Sequence, residues 1–485
     1  MAFRTRPSAI VSEGALYEAV ARGNKDTFFF RSDEFALTDP KVVSPFETRY
    51  AKSPPFVQEL RRIPPTNGAE FGRSSEFEFE TAGDLFTEPT ILIDLPSWLP
   101  PAAAAINPTG TVTHGPTAYS AGYSAYIGYF LFEKIQLYHD KVLLYEFSGD
   151  ALWASKIPRG SLTQSYVLNE LAGGHNHSAA EVARNALPHR LRVRIPFPGS
   201  SPFPSIAMRN QTFRLRLLLR KLEDIVETSD AQESPAPWNA PYITVTPLGS
   251  AVGGPDTFQV APLARTKIAS PVLQLETRHF YTDQASSEAL VNTPHELPLQ
   301  TLYENTFSFG PFDYSSLLKQ GAATASKRLD AVHPASRVLW IIRSKNDLRA
   351  GRRWRITPPD ISGVVQTYYN SVGLYIAGRE REAPAGPLLW ENVVPHAKED
   401  IDSGAGIGIM DWALGDLWGR PPGSDEVPEG SVNFTTADRP TLLINLAPAP
   451  PDTILGAPST EMMVCVFSWA IFVVQENRGY LKYGN

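Results

Sequence analysis

Cysteine is nearly absent from the chain, because Cys465 is the only one among 485 residues. A single thiol cannot form a disulfide within the chain, so folding must depend on the burial of apolar side chains. This composition excludes a small disulfide-stapled secreted scaffold and is compatible with a reducing cytoplasm. The first residues, MAFRTRPSAIVSEG, include two arginines but no apolar signal-peptide core. We therefore expect the protein to be made and used on the cytosolic side.

Long apolar segments are also absent. The longest runs from Met462 to Val474 and has 13 residues, whereas a membrane-spanning helix needs about 20. Its β-branched and aromatic content, bracketed by Glu461 and Gln475, is typical of a strand. The sequence therefore predicts a strand that is buried on both faces.

An excess of positive charge is missing, since 44 basic and 51 acidic residues give a net charge of −7. This balance argues against a surface that neutralises phosphates, and we expect no direct nucleic-acid partner. The strong enzyme motifs are absent too: there is no Gly-x-Ser-x-Gly elbow or Walker loop. His295 and Glu296 lack the second histidine of a zinc helix. The sequence predicts no enzyme and no catalytic residue.

Three segments superficially resemble ligand sites, but each has a simpler interpretation. GAGIGIM, Gly404–Met410, has the wrong glycine spacing for a dinucleotide loop, which favours a strand entry. His175 and His177 have no third ligand nearby, which favours a solvated Gly-rich loop. The acidic segment Glu399–Asp402 matches no EF-hand spacing and reads as a solvated turn. We expect neither a bound metal nor a cofactor.

Asn176, Asn210 and Asn433 lie in Asn-x-Ser/Thr sequons. Their use by the standard pathway requires a secretory route, for which the cysteine content gives no sign. Chance sequons are the favoured interpretation, and the glycosylation of these residues stays open.

Apolar residues and turn formers are plentiful. Hydrophobic residues make up 42% of the chain and charged residues 20%, enough for a true core, and 43 prolines favour short strands joined by turns. Arg190, Arg192 and Arg194 alternate with apolar residues, and the segment Phe213–Leu217 repeats the pattern. This period of two predicts strands with one solvent-exposed face and one buried face. The pattern favours a sandwich or barrel.

The length predicts two domains of roughly 200 residues each. A Pro-, Gly- and Ser-rich stretch between Thr228 and Leu263 favours a boundary near residue 235. We predict an N-terminal arm with a short helix over 1–24, a first domain over 25–235 and a second over 236–485. Long turn-rich stretches are candidate docking loops: Pro100–Gly122, Lys345–Pro359 and Pro384–Gly404.

Taken in order, several segments resemble the major capsid protein of nucleocytoplasmic large DNA viruses, a double jelly-roll family. In the first half these are GALYEAVARGNKDTFFF, AGDLFTEPTILIDLP, YIGYFLFEKIQLYHDKVLLYEFSGDAL, LTQSYVLNELAGG and IPFPGSSPFPSIAMRNQTFRLRLLLRKLEDIV. In the second half they are LQLETRHFYTDQASSEALVNTPHELPLQTLYENTF, RVLWIIRSKND, GIGIMDWAL, GSVNFTTADRPTLLINL and the apolar run that leads to GYLKYGN. The Gly-rich N-terminus of many family members is replaced here, and the loop Gly415–Gly430 is particular to this sequence.

The resemblance implies an all-β fold of two tandem eight-stranded antiparallel jelly rolls, with a short N-terminal helix and long surface loops. It implies a structural protein of the virion: a homotrimer that forms a pseudo-hexagonal capsomer of an icosahedral shell, assembled in the host cytoplasm. The implied partners are neighbouring capsomers, minor capsid or cement proteins, a penton protein and inner-membrane proteins of the virus.

Two other functions stay open. One is a minor capsid or scaffold protein of the same double jelly-roll kind, which abundance in particles would distinguish from a major shell component. The other is a β-sandwich glycan-binding protein, for which Trp390 and Trp418 in loop-like segments are candidate contact residues.

Overall fold

The computed structural model describes residues 55–482 except for the segments 80–81, 88, 107–108, 115–116, 157–170, 174–188, 200–201, 209–210, 230–235, 248, 252, 315–322, 358–366, 396–405, 413–429, 437–438 and 450–457. Phe56–Asn485 forms one compact unit, to which the description below applies. The predicted N-terminal arm and short helix over 1–24 lie outside the described residues.

The strands are numbered in chain order, and those of the first half end at Thr282. They are β1 (Phe56–Ile63), β2 (Ser74–Glu78), β3 (Leu85–Phe86), β4 (Thr90–Leu95), β5 (Thr109–His114), β6 (Thr117–Tyr123), β7 (Phe132–His139), β8 (Val142–Phe147), β9 (His189–Arg194), β10 (Phe213–Leu219), β11 (Val226–Thr228), β12 (Tyr242–Thr246), β13 (Phe258–Val260) and β14 (Val272–Thr282).

The strands of the second half begin at His295. They are β15 (His295–Phe309), β16 (Ala323–Arg328), β17 (Pro334–Ser344), β18 (Tyr369–Ile376), β19 (Arg379–Ala385), β20 (Ile407–Asp411), β21 (Val432–Asn433), β22 (Thr441–Leu446), β23 (Thr460–Gln475) and β24 (Arg478–Leu481).

Helices are short and lie in the connections. The α-helices are α1 (Pro101–Ala105), α2 (Ile127–Phe130), α3 (Gly149–Lys156), α4 (Gln284–Asn292) and α5 (Lys345–Arg349). Single 3₁₀ turns occur at Ser205–Ala207, Leu222–Asp224, Pro237–Asn239 and Arg265–Lys267, and a π-helical segment spans Leu388–Val393.

Each half of the chain builds two sheets, and the main path of each sheet has four strands in the same order. β3 adds to β14 in the first half, and β21 and β24 add to β17 and β23 in the second. In the first half the sheets are β1-β14-β4-β9 and β2-β10-β7-β8; we call this pair the N-terminal sandwich. In the second half they are β15-β23-β17-β20 and β16-β22-β18-β19, the C-terminal sandwich. Counting only these eight strands of each half, both sandwiches have the order 1-8-3-6 and 2-7-4-5. The chain therefore repeats one antiparallel topology twice.

A fifth sheet, β11-β6-β5-β12-β13, is built from two long connections of the N-terminal sandwich, and we call it the insertion sheet. One connection joins β4 to β7, and the other joins β10 to β14. The predicted docking loop Pro100–Gly122 is thus largely helix α1 and paired strand. Backbone groups of a long insertion need hydrogen-bond partners, and strand pairing supplies them here.

The described strands up to Thr282 pair only with one another, and those from His295 onward pair only with one another. Helix α4 lies between these two groups. β12, β13 and β14 follow residue 235 but pair with strands of the first half. We therefore propose that the two sandwiches divide at α4 instead of near residue 235. The Pro- and Gly-rich stretch that motivated the earlier boundary carries β12 and β13 of the insertion sheet.

The alternation expected from the sequence is present. In β9 and the residue after it, Arg190, Arg192 and Arg194 are exposed while Leu191, Val193 and Ile195 are buried. In β10, Phe213, Leu215 and Leu217 are buried and the arginines between them are exposed. Each strand thus contributes one apolar face to a core between two sheets.

Strand β23 is buried on both faces, as its apolar run predicts. Met462, Val464 and Val466 belong to the core of the C-terminal sandwich. Met463, Cys465 and Phe467, which point the other way, belong to the core of the N-terminal sandwich. The sheet that contains β23 therefore has an apolar outer face that packs on the neighbouring sandwich.

Gly408 of β20 lies directly opposite Trp340 of β17. A Cβ atom at Gly408 would lie 2.2 Å from Trp340 Cε2, far inside van der Waals contact. Residues Ile407–Asp411 form a strand, which confirms the strand interpretation of this segment. The glycine is needed here because the indole of Trp340 covers the strand.

We expect Gly408→Ala to lower the free energy of unfolding by roughly 1–3 kcal/mol, as overpacking of a core does. Gly310→Ala is the matched control, because no atom lies within 4 Å of a Cβ built there. Thermal unfolding of both variants checks the prediction. The double variant Gly408→Ala/Trp340→Phe should lose less free energy of unfolding than the sum of the losses of the two single variants. Strictly additive losses would contradict the proposed contact.

Candidate assembly surfaces

The two sandwiches meet at a junction made from unlike surfaces. The C-terminal sandwich contributes the outer face of β15-β23-β17-β20, where Leu339, Ile341 and Ile409 are fully or almost fully buried. The N-terminal sandwich contributes β8 and helix α3, which packs against β17. Ser148, between β8 and α3, donates its backbone N–H to Glu304 Oε2 at 2.9 Å. The junction is thus an apolar sheet face with a polar rim.

A buried charge cluster lies at this junction. Asp150 of α3 accepts hydrogen bonds at its Oδ2 atom from Arg220 at 2.8 Å, Arg353 at 3.2 Å and Arg343 at 3.4 Å. Arg220 belongs to the N-terminal sandwich, whereas Arg343 and Arg353 come from the C-terminal sandwich. Arg343 also lies 3.3 Å from Glu461 Oε1. One carboxylate therefore binds guanidinium groups from both sandwiches.

Burial by itself would raise the pKa of Asp150, but the charges of Arg220, Arg343 and Arg353 outweigh it and hold the pKa well below its ordinary value. Glu304 behaves oppositely, since burial raises its pKa more than the hydrogen bonds from Ser148 lower it. Asp150 is accordingly ionised in the folded chain throughout the physiological range. Removing it would leave three guanidinium groups close together.

The described part of the predicted docking loop Lys345–Pro359, up to residue 357, packs on the same chain. Thr228 donates its backbone N–H to the Ala350 carbonyl at 3.2 Å, and Trp354 Nε1 donates to Glu227 Oε2 at 3.0 Å. Gly351 has a φ of +75°, and a Cβ atom there would lie 2.3 Å from the Val226 carbonyl oxygen. Only glycine fits this approach without a shift of the backbone.

The sheet β1-β14-β4-β9 presents a different outer face. It carries Phe56, Leu60, Arg62, Thr90, Leu92, Asp94, Arg190, Arg192, Arg194, Val272, Gln274, Glu276, Arg278 and Phe280. Glu276 forms ion pairs on both sides: its Oε2 atom lies 3.0 Å from Arg62 Nε, and its other carboxylate oxygen pairs with Arg192. This face is mostly polar and rich in arginine, in contrast to the apolar outer face of the equivalent sheet in the C-terminal sandwich.

The helical segment Leu388–Val393 exposes apolar side chains. Trp390 is buried and donates its Nε1–H to the Val372 carbonyl at 2.9 Å, and buried Glu391 accepts the Gly406 N–H at 2.8 Å. These two contacts fix the segment on the sandwich. Leu388 is 74% exposed, and Leu389 and Val393 also face solvent. An apolar group of this kind on an anchored helix is a candidate contact with another molecule.

The structure places few of the candidate ligand residues. His175, His177, Glu399–Asp402, Trp418, Asn176 and Asn210 lie outside the described residues. His295 lies 2.8 Å from the Leu290 carbonyl through its Nε2 atom, and Glu296 pairs with Lys482 at 2.6 Å. Asn433 is exposed, and its side chain accepts the backbone N–H of Thr435 at 3.0 Å.

No group of three or more His, Cys, Asp and Glu side chains among the described residues could hold a metal ion. No helix in the described part of the chain is both long and apolar enough to cross a bilayer.

Sequence reasoning missed the charge cluster around Asp150. Its members are separated by up to 203 residues in the chain, so no local spacing brings them together. The only signal is weak: Arg343 follows the apolar run Val338–Ile342, where a charge in a buried strand needs a partner.

No known family profile matches the sequence, and a search of curated proteins finds no relative. Solved structures do match. The capsid of virus PBCV-1 aligns with a TM-score of 0.65 at 14% identity, over 91% of this chain and 100% of that chain. The Faustovirus major capsid protein aligns with a TM-score of 0.55 at 11% identity, over 95% and 96% of the two chains. The Sputnik virophage structure aligns with a TM-score of 0.52 at 10% identity, over 91% of each chain.

The chain has the double jelly-roll fold. The predicted fold class of two tandem eight-stranded antiparallel rolls is thereby confirmed. Each sandwich is one roll, and the insertion sheet is an addition to the first. The double jelly roll is held together by the junction described above, in which an apolar sheet face is accompanied by the Asp150 cluster at the Arg343 end of β17.

We expect Asp150→Asn to destabilise the double jelly roll by roughly 3–5 kcal/mol, because it leaves buried guanidinium groups without their counter-charge. Asp94→Asn is the matched control: Asp94 pairs with Arg190 at 3.2 Å, but both side chains are exposed. That change should cost at most about 1 kcal/mol. Urea unfolding at neutral pH measures both effects, and equal losses would contradict the assigned role of Asp150.

Asp150→Asn and Asp94→Asn should also differ in how much stability they lose at low pH. The folded pKa of Asp150 lies below its unfolded value, which is about 3.9 for an aspartate. The stabilisation it gives is therefore complete above that unfolded value and is lost as the pH falls toward the folded pKa. Unfolding measured from pH 6 downward should show a loss of stability below about pH 5 that is smaller in Asp150→Asn than in the Asp94→Asn control.

Proposed function

We propose that the protein is the major capsid protein of an icosahedral large DNA virus, and that three copies form a pseudo-hexagonal capsomer. The observation that carries this proposal is the repeated strand order 1-8-3-6 and 2-7-4-5 in both sandwiches. Two units of one topology in each chain give six similar units in a threefold assembly. Capsid proteins of PBCV-1, Faustovirus and the Sputnik virophage share the fold, which supports this assignment.

The closed architecture supports a role as a discrete building block. Each roll covers its core with two sheets, and insertions extend the chain without opening the core. Among the described edge strands, β19 has the sequence REREAPA, with charges and a proline that oppose uncontrolled strand addition. A tile that must meet neighbours only at defined surfaces needs this protection.

The remaining assignments follow from the same proposal. The protein is a structural component of the virion capsid, assembled in the host cytoplasm, and it is not an enzyme. Its partners are other copies in the capsomer, neighbouring capsomers, minor capsid or cement proteins, a penton protein and inner-membrane proteins of the virus. We propose no metal, cofactor or direct nucleic-acid partner.

The same fold would also serve a minor capsid or scaffold protein, and quantitative mass spectrometry of purified particles distinguishes that alternative. A trace amount of the chain would exclude the major-shell role. The glycan-binding alternative loses one of its two motivating residues, since Trp390 is buried and hydrogen-bonded in the core.

We expect the recombinant full chain to elute as a trimer in size-exclusion chromatography with light scattering, at three times the chain mass of 53.4 kDa. Obligate subunit contacts of this kind usually bury about 2,000 Å² or more, so the trimer should persist at micromolar concentration. A stable monomer under these conditions would count against the capsomer.

A further inference from the structure

The two sandwiches also meet at a place far from the Asp150 cluster. That cluster includes the pair with Glu461 at the start of β23, whereas Phe472 lies near the end of the same strand. Phe472 is fully buried, and its ring centroid lies 5.7 Å from that of Phe213 on β10. Aromatic side chains of the two sandwiches therefore pack on each other at this end of the junction.

Strand β24 closes this aromatic contact. The backbone N–H of Gly479 donates to Gln211 Oε1 at 2.6 Å, which joins β24 to the N-terminal sandwich. A Cβ atom at Gly479 would lie 2.5 Å from Phe472 Cζ and 2.9 Å from Met208 Sδ. The contact is thus closely packed and leaves little space for the hydration of a charge.

One titratable side chain, His139, lies inside this packed region. It is the last residue of β7 and is 4% exposed. Its ring centroid lies 5.3 Å from that of Phe213 and 5.2 Å from that of Phe472, so it packs on both sandwiches. Its buried Nε2 atom has no hydrogen-bond partner within the described part of the chain. Protonation places an N–H on both ring nitrogens, and the new charge would be buried among aromatic rings.

The surrounding charges do little to offset that burial. Asp140 follows His139 directly, and its Oδ1 atom accepts the Thr212 backbone N–H at 3.1 Å. Other charged residues on the adjoining strands and turns are exposed: Glu133, Lys134, Lys141, Arg214, Arg216, Glu476 and Arg478. Glu146 of β8 pairs with Lys134. Burial lowers the pKa of His139 below its ordinary value, and Asp140 and a hydrogen bond with Gln211 offset only part of this effect.

We propose that His139 is an acid-sensitive latch between the two sandwiches, whose protonation separates the β7–β8 hairpin from β23 and β24. The neutral ring packs between Phe213 and Phe472 and holds this end of the junction closed. The charged ring has to reach water, which requires the contact to open. This inference concerns the single chain, goes beyond the proposed function and does not rest on it.

The direction of the pH dependence follows from the two states of the ring. In the opened contact His139 has the ordinary histidine pKa of about 6.5, and in the closed contact its pKa is lower. The opened state therefore binds the proton more readily. The contact keeps its full stability above about pH 6.5 and loses it as the pH falls toward the lower pKa of the closed state.

Cys465 is a built-in probe of the opening, because it is the only cysteine of the chain, is buried and lies on the face of β23 that packs on the N-terminal sandwich. Its reaction with 4,4′-dithiodipyridine can be followed in the full chain from pH 7 to pH 5. The rate divided by that of the denatured chain at the same pH measures the opened fraction. For the wild type this ratio should rise on acidification, by at most about 25-fold for one histidine.

Two substitutions should change this rise in opposite directions. His139→Phe should remove most of it, because phenylalanine does not titrate and suits an aromatic site. Asp140→Asn should make it steeper, because the amide still accepts the Thr212 N–H but no longer favours the proton on His139. Val142→Ala is the matched control: Val142 lies opposite His139 on β8, is exposed and does not titrate, so the wild-type pH profile should remain.

Circular dichroism at pH 7 establishes that each variant is folded. If His139→Phe fails to fold, Asp140→Asn still decides, because it leaves the histidine in place. A wild-type ratio that does not rise on acidification, or a rise that is equal in the wild type and the folded variants, would overturn the latch. Neither result bears on the trimer mass, so the proposed function is tested separately.

Discussion

The structure depends on one constraint: the sheet β15-β23-β17-β20 is apolar on both faces. One face closes the core of its own sandwich, and the other must be covered by a different unit, since such an area of apolar surface is not stable in water. The N-terminal sandwich supplies that cover. The C-terminal sandwich therefore depends on the N-terminal sandwich to cover this face, and both belong to the one compact unit Phe56–Asn485.

Apolar burial gives the junction its stability, and the charge cluster gives it an orientation. An apolar sheet face can slide on its partner at little cost, because the hydrophobic effect has no direction. Asp150 accepts hydrogen bonds from Arg220, Arg343 and Arg353, so a shift between the sandwiches would separate buried charges. Buried ion pairs contribute little net stability relative to apolar contacts, but they strongly disfavour alternative arrangements that leave them unpaired. The loop that carries Gly351 adds a second fixed point.

Local patterns in the sequence predict individual strands and their buried faces. The alternation in β9 and β10 and the apolar run in β23 determine which faces are buried, since a period of two has one physical interpretation in a half-buried strand. The division that we propose at α4 has no clear mark in the sequence, because turn-rich composition marks insertions as readily as linkers, and the stretch near residue 235 leads into β12 and β13. The junction could not be predicted at all: Asp150 and Arg343 are 193 residues apart, and only the folded topology brings them together.

The two outer sheet faces differ because one is covered when the chain itself folds and the other is not. The face of β15-β23-β17-β20 is covered as soon as the chain folds, so it can be apolar without risk of aggregation. The face of β1-β14-β4-β9 is exposed to solvent in the described chain, where a contiguous apolar surface would pair with the wrong partners. Its arginines, and Glu276 between Arg62 and Arg192, keep it hydrated. One topology, used twice in a chain, therefore carries two surface chemistries, and the sequences of the two halves diverge where that difference is required.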